Sequence, residues 1–141
     1  MLVAEDARAV RETLVALLDL EADIEVAAAV ASGDQVVPAA VEHQPDVALL
    51  DIGLPGIDGI AAAAGLAGRV PGCRALILTG LPAPGNLDAA WRAGACGFLL
   101  KDGPADELIE AVRAVARGEQ VIDTRLSSQA PGGLGGPRRP R

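Results

Sequence analysis

The chain has 141 residues, a formal net charge of −7, no Tyr, and only one Phe and one Trp. This length suits a single domain, whose core must be built from Ala, Val, Leu and Ile. The acidic charge and the scarcity of aromatic rings disfavour the usual modes of direct nucleic-acid binding. Cys73 and Cys96 lack CxxC spacing, which indicates reduced structural thiols rather than a metal or redox site.

Five short apolar runs alternate with five segments of helical spacing. The runs show no clean polar alternation, which is typical of strands covered on both faces. In the first helical segment, Val10, Leu14 and Leu17 fall on one stripe. The predicted strands are residues 2–4, 24–30, 47–50, 75–78 and 97–100, and the predicted helices are residues 7–20, 34–43, 60–67, 87–93 and 105–117.

This alternation predicts an α/β fold, a parallel sheet with helices on both faces. In such sheets, ligands bind at the carboxyl ends of the strands, near the point where the strand order reverses. Residues 1–123 are expected to form the folded domain, and residues 124–141, rich in Gly, Pro and Arg, a flexible tail or linker remnant with no output domain evident. The chain shows no export signal or membrane-spanning stretch, which predicts a cytoplasmic protein.

Polar residues that could bind a metal or take part in a reaction follow four of the five apolar runs. Glu5 and Asp6 follow the first, Asp51 the third, Thr79 the fourth and Lys101 the fifth. Clustered carboxylates repel one another, and Mg²⁺ is a natural cation to hold them together. A carboxylate in that setting can attack a phosphodonor and form an acyl phosphate, with the hydroxyl and the ammonium receiving the phosphoryl oxygens.

Four motifs resemble those of the receiver domains of two-component response regulators. They are AED after the first strand, LLDIGLPGIDG around the third, LILTG at the fourth and GFLLKD at the fifth. The stretch WRAGACGFLLKDGPADELIEAVRAVARGE is similar to receivers that precede LuxR-type helix-turn-helix output domains. The resemblance covers residues 1–123. It implies a doubly wound, flavodoxin-like sheet of five parallel strands in the order 2-1-3-4-5.

The resemblance also implies roles for individual residues by position. Asp51 is the implied phosphoacceptor and Mg²⁺ the implied cofactor. The implied catalytic residues are Asp51, Thr79 and Lys101, and the implied metal ligands are Glu5, Asp6, Asp51 and the backbone carbonyl of Gly53.

A switch is implied in the same way. Phosphorylation would draw Thr79 toward the phosphoryl group, and Phe98 would follow inward. This movement would alter the surface formed by the fourth helix, the fifth strand and the fifth helix. Judged by its position alone, Phe98 is equally well explained as a plain core residue.

The implied function is a phosphoacceptor signalling domain, not a conventional enzyme, that catalyses its own phosphorylation and dephosphorylation. Its expected partners are a sensor histidine kinase, or a small phosphodonor, and a second copy of itself when phosphorylated. DNA would be reached only through a LuxR-type output domain absent from this chain, to regulate transcription, and no membrane partner is expected.

Three rival interpretations use the same fold or chemistry. A phosphatase of the haloacid-dehalogenase type needs a second Asp two residues after the nucleophile, where this chain has Gly53. A nucleotide-binding Rossmann domain needs a GxGxxG turn after the first strand, where this chain has AEDARA. A degenerate receiver that only mediates protein contacts is disfavoured by the intact acidic set and Lys101.

Other polar residues receive structural interpretations. Asp58 is expected in a loop or at a helix start, Trp91 at the edge of the core and His43 solvated at the end of the second helix. Arg138, Arg139 and Arg141 form a basic patch that is weak evidence for nucleic-acid binding.

Overall fold

The fold is a single parallel sheet between two layers of helices. A computed structural model of the protein describes residues 1–80, 83, 85–123 and 125–126. In this part of the chain the strands lie in the order β2-β1-β3-β4-β5-β6. The strands are β1 (Leu2–Ala4), β2 (Ala28–Val30), β3 (Val47–Asp51), β4 (Arg74–Thr79), β5 (Gly97–Leu100) and β6 (Val121–Ile122).

Within the described residues, five α-helices cover the two faces of the sheet. Leu18 and the apolar side of the last helix pack on one face, with β3, β4 and β5. Residues of the other three helices pack on the opposite face, around Leu50 and Ile77. The helices are α1 (Arg8–Asp19), α2 (Val36–His43), α3 (Gly59–Arg69), α4 (Asn86–Arg92) and α5 (Ala105–Ala116).

The predicted doubly wound fold is confirmed, with β1 to β5 in the predicted order. The sixth strand was not predicted. It pairs Val121 with Gly97 and Ile122 with Phe98, and a run of two residues carries no periodic signal. Within the predicted tail, Arg125 and Leu126 are described, and Leu126 is 2% exposed in the core. The rest of the predicted tail lies outside the described residues.

The second β-α unit departs most from the predicted boundaries. β2 is shorter than predicted because only Ala28–Val30 pairs with β1. A 3₁₀ turn, Gly33–Gln35, precedes α2 where a regular helix was predicted from residue 34. Gln35 Oε1 accepts a hydrogen bond from the backbone N–H of Ser32, 3.2 Å away, which stabilises this tight entry to the helix.

The loop between β3 and α3 packs against that 3₁₀ turn through close backbone contacts. The N–H of Gly33 donates to the carbonyl of Pro55 at 2.9 Å, and a Cβ on Gly33 would lie 1.7 Å from the carbonyl oxygen of Ile57. A Cβ on Gly59 would lie 2.3 Å from the carbonyl oxygen of Asp51. Only glycine fits these two positions, so the chain that follows Asp51 has a fixed course.

Candidate functional site

The carboxyl ends of β1 and β3 bring three carboxylates together. One carboxylate oxygen from each of Glu5, Asp6 and Asp51 lies within 4.8 Å of the other two. Glu5 is 1% exposed and Asp51 9% exposed, whereas Asp6 is open to solvent. β1 and β3 are adjacent parallel strands, so their ends meet at one edge of the sheet.

Lys101 balances part of this negative charge. Its Nζ donates to Glu5 Oε1 at 2.6 Å and lies 3.5 Å from Asp51 Oδ2. Glu5 Oε2 accepts the backbone N–H of Ala7 at 2.9 Å, so both oxygens of this buried carboxylate are bonded. Burial opposes the charge of Lys101, but the hydrogen bond to Glu5 and the charge of Asp51 outweigh it and raise the pKa of Lys101. The ammonium therefore stays charged at neutral pH.

Backbone hydrogen bonds hold the strand ends in register around the site. The N–H of Lys101 donates to the carbonyl of Thr79 at 2.8 Å, and Thr79 is 1% exposed at the end of β4. The N–H of Gly53 lies 3.4 Å from Asp51 Oδ1, whereas Lys101 contacts the other oxygen, Oδ2. Among the described residues, Lys101 is the one that an added Cβ at Gly80 would meet, with Cδ at 3.8 Å.

The residues of the implied switch line one face of the sheet. Phe98 is 2% exposed and packs in the same cluster as Leu87 and Ala90 of α4. It pairs with Ile77, and strand alternation puts Thr79 on the same face as Ile77. This packing agrees with both interpretations of Phe98, as a switch and as plain core. Its role remains a prediction.

The donor set suits a hard divalent cation. Three carboxylates that approach this closely repel one another, and oxygen ligands are those that Mg²⁺ prefers. The exposed Asp6 leaves the cluster accessible from solvent. These residues therefore fit the implied metal.

Two features near the site were missed by sequence reasoning. Arg11 of α1 donates to the backbone carbonyls of Glu5, at 2.8 Å, and Asp6, at 3.4 Å, and so supports the loop that carries both acids. Asp123 is buried immediately after β6, where it bonds Arg125. The sequence signal for the buried Asp123 is slight: this residue follows the apolar pair Val121 and Ile122 and stands two residues before Arg125.

Three structural interpretations are confirmed. Asp58 is the N-cap of α3 and accepts the N–H of Ala61 at 2.8 Å. Trp91 packs at the edge of the core, and His43 is the last residue of α2, with its side chain 36% exposed. The three C-terminal arginines lie outside the described residues. No helix in the described part of the chain is long and apolar enough to cross a bilayer.

Comparison with known proteins agrees with this fold. Residues 1–113 match the family model described as the response regulator receiver domain. The transcriptional regulatory protein DesR of Bacillus subtilis (strain 168) is 39% identical over 88% of this chain and 61% of its own length. The oxygen regulatory protein NreC of Staphylococcus epidermidis (strain RP62A) is 34% identical over 91% of this chain and 59% of its own. The chain thus spans about three-fifths of these relatives.

Solved structures agree as well. The signal receiver domain of the response regulator NarL from Mycobacterium tuberculosis is 34% identical, with a TM-score of 0.81 over 84% of this chain and 95% of that one. A LuxR-family two-component response regulator from Aurantimonas is 26% identical, with a TM-score of 0.86 over 91% of both chains. The chain belongs to the response regulator receiver domain family of two-component systems.

Proposed function

We propose that this receiver domain is phosphorylated on Asp51 by a sensor histidine kinase or a small phosphodonor, and that Mg²⁺ is required. The observation that carries the proposal is the convergence of Glu5, Asp6 and Asp51 within 4.8 Å, with Lys101 bonded to the same group. Three carboxylates held together beside one ammonium cost folding stability, and a cost of this kind is typical of a functional site. Phosphoryl transfer is such a function.

The transfer forms one bond and breaks another. A carboxylate oxygen of Asp51 bonds to the phosphorus of the donor as the phosphorus–nitrogen bond of a phosphohistidine, or the phosphorus–oxygen bond of acetyl phosphate, breaks. The leaving group keeps the electron pair of that bond. Lys101, already 3.5 Å from Asp51 Oδ2, pairs with a phosphoryl oxygen, and the hydroxyl of Thr79 binds another. Gly80 has no side chain to place over the phosphoryl group, which favours access of the donor and, later, of the hydrolytic water.

The metal ligands in this proposal are the side chains of Glu5, Asp6 and Asp51 and the backbone carbonyl of Gly53. Bound Mg²⁺ would neutralise charge on the transferred phosphoryl group. The carboxylates themselves provide the negative charge that attracts the cation. The hydrogen bond from Arg11 to the carbonyl of Glu5 keeps the acidic loop in place.

The output of the domain is the surface formed by α4, β5 and α5. Movement of Thr79 toward the phosphoryl group would leave space into which Phe98 turns, since both lie on the face covered by α4. The altered surface would favour a homodimer and control transcription through a LuxR-type output module outside this chain. DesR, a relative of this chain, is named as a transcriptional regulator, which supports this role. Such a system would operate in the cytoplasm.

Intact-mass measurement after incubation with acetyl phosphate and Mg²⁺ tests the proposal. We expect one phosphoryl adduct on wild type and on Asp46→Asn, and none on Asp51→Asn. Asp46 is an exposed acid at the other end of β3, so it controls for the loss of one carboxylate. No adduct on wild type, or equal adducts on all three proteins, would favour a degenerate receiver. Continuous release of phosphate from small phosphomonoesters would favour a phosphatase.

A further inference from the structure

At the end of β5, a side-chain carboxylate accepts the hydrogen bond that a backbone carbonyl of the next strand would normally accept. β6 ends at Ile122, so a parallel ladder would leave the N–H of Leu100 without a strand to bond. Asp123 Oδ2 accepts this N–H at 3.1 Å. The carboxylate thus takes the place of the carbonyl that a longer β6 would supply.

This bond lies next to the lysine of the candidate site. The N–H of Leu100 points toward β6, and the N–H of Lys101 points toward β4, where it bonds the carbonyl of Thr79 at 2.8 Å. The two consecutive amides are therefore anchored on opposite sides. Together they fix the backbone from which the Lys101 side chain reaches Glu5 and Asp51.

Arg125 holds the Asp123 carboxylate in place. Its backbone N–H and its Nε each donate to Asp123 Oδ1 at 2.9 Å, and its Nη2 donates to Oδ2 at 2.8 Å. The Asp123 side chain is fully buried. Burial alone would raise its pKa, but the bonds from Arg125 and Leu100 outweigh burial and lower the pKa to about 2. The carboxylate therefore remains an acceptor throughout the neutral range.

The same arginine covers the loop that follows Lys101. Its guanidinium lies 3.4 Å from Glu107 of α5 and 3.6 Å from Asp102. A Cβ on Gly103 would come within 2.6 Å of Arg125 Nη2, so glycine is what permits this close approach. We call the pair Asp123 and Arg125 the C-terminal clasp. It bonds both the strand before Lys101 and the loop after it.

We propose that Asp123 is a positioning residue for Lys101, and that the clasp makes phosphorylation at Asp51 depend on the residues that follow β6. This inference rests on the proposed function. β6 and Asp123 are already joined to β5 by backbone bonds from Val121 to Cys96 and from Asp123 to Phe98. The carboxylate adds one bond beyond these, and that bond reaches the amide next to Lys101.

Variants at the clasp separate positioning from a general contribution to folding. Asp123→Ala removes the acceptor, and Asp123→Asn retains an oxygen that can accept the Leu100 N–H. With acetyl phosphate and saturating Mg²⁺, we expect the phosphorylation rate constant to fall about tenfold in Asp123→Ala. In Asp123→Asn we expect a smaller loss, of about threefold, because the amide oxygen can still accept the Leu100 N–H while the NH₂ group faces the donors of Arg125. The Mg²⁺ dissociation constant, from NMR titration, should not change, since Asp123 does not touch the three acids.

Two further variants complete the design. Arg125→Ala leaves the acceptor but removes what orients it, and we expect a loss of about threefold. It also serves as the readout if Asp123→Ala does not fold. Glu119→Ala is the control, because Glu119 is an exposed carboxylate in the same region, paired only with Arg117 among the described residues. We expect it to behave as wild type.

Hydrogen exchange of the Leu100 amide tests the clasp without any phosphorylation. We expect exchange about tenfold faster in Asp123→Ala than in wild type, with the Lys101 amide less affected. A wild-type exchange rate in Asp123→Ala, or fast exchange with a wild-type phosphorylation rate, overturns the role of Asp123 alone. Absence of phosphorylation in wild type overturns the proposed function, and the role at Lys101 with it.

Discussion

Two charge clusters in this protein each contain one cation and three carboxylates, but their carboxylates differ in burial. At the candidate site, Lys101 stands among Glu5, Asp6 and Asp51, and on the surface of α5, Arg113 stands among three carboxylates. Each carboxylate of the second cluster accepts a hydrogen bond from the Arg113 guanidinium, at 2.6 to 2.9 Å, and this cluster is accessible to water. The three carboxylates belong to Glu21, Asp23 and Glu110.

The difference lies in how the negative charge is neutralised. The planar guanidinium of Arg113 donates hydrogen bonds to all three carboxylates. These bonds, to Asp23, Glu110 and Glu21, raise the pKa of the guanidinium. Lys101 makes its short bond to Glu5, and only a longer contact to Asp51. In the surface cluster, Arg113 thus bonds all three carboxylates. The candidate site keeps an excess of buried negative charge, which can attract a cation.

Removal of Lys101 should have the largest effect on stability. In Lys101→Ala, Glu5 remains buried without its cation, and we expect the unfolding free energy in EDTA to fall by about 2 kcal/mol, reduced from the value for a fully buried pair because Lys101 is 25% exposed. Urea denaturation measures this loss, and added Mg²⁺ should restore part of it. A loss no larger than that of Arg113→Ala would contradict the contrast between the clusters.

The clasp should make stability depend on pH in the acid range. The pKa of Asp123 is about 2 in the folded protein, below about 3.9 for an unperturbed aspartate. Since the folded pKa is depressed, the stabilisation is complete above about pH 4 and is lost as the pH falls toward about 2. Because Arg125 is 42% exposed and screened by water, we expect a loss of about 1 kcal/mol over this range.

Denaturation at several pH values measures this loss, and Asp123→Asn is its control. The variant has no carboxylate to protonate at this position, so its unfolding free energy should fall less between about pH 4 and about pH 2. Parallel curves for wild type and variant would assign the acid sensitivity to other carboxylates.

Asp51→Asn should stabilise the metal-free protein by about 1 kcal/mol, because it removes repulsion with Glu5 and Asp6 while Lys101 keeps its bond to Glu5. Thermal or urea unfolding in EDTA measures the gain, and Mg²⁺ should reduce or reverse it. A less stable variant in EDTA would mean that the contact between Asp51 and Lys101 outweighs the repulsion.

The smallest effect is expected for Arg113→Ala. Its partners stay hydrated after the change, so the loss of stability should be slight and should shrink further at high salt. Unfolding at low and high ionic strength provides the measurement. A loss as large as that of Lys101→Ala, unchanged by salt, would show that the surface cluster is also essential to the fold.

The convergence of the site residues could be predicted because it depends on simple geometry. Asp51, Thr79 and Lys101 each lie at or directly after the end of a buried strand, and parallel strands bring such residues to one edge. The family motifs added what each residue is expected to do. Neither source depends on the fine packing of side chains.

The clasp could not be predicted for the opposite reason. Its central bond joins Asp123 to a backbone N–H 23 residues earlier in the chain, and it forms only because β6 stops at Ile122. No residue pattern indicates where a strand of two residues ends. The contacts of Arg11 with two backbone carbonyls are equally independent of side-chain pattern.

The contact of Gly33 with the loop after β3 restricts how this domain can be recombined with its relatives. The carbonyls of Pro55 and Ile57 lie against the backbone of Gly33, and a Cβ on Gly56 would lie 2.3 Å from Asp34 Oδ1. The two loops therefore behave as one exchangeable module. A chimera that takes the β3–α3 loop from another receiver should take the turn before α2 from the same parent.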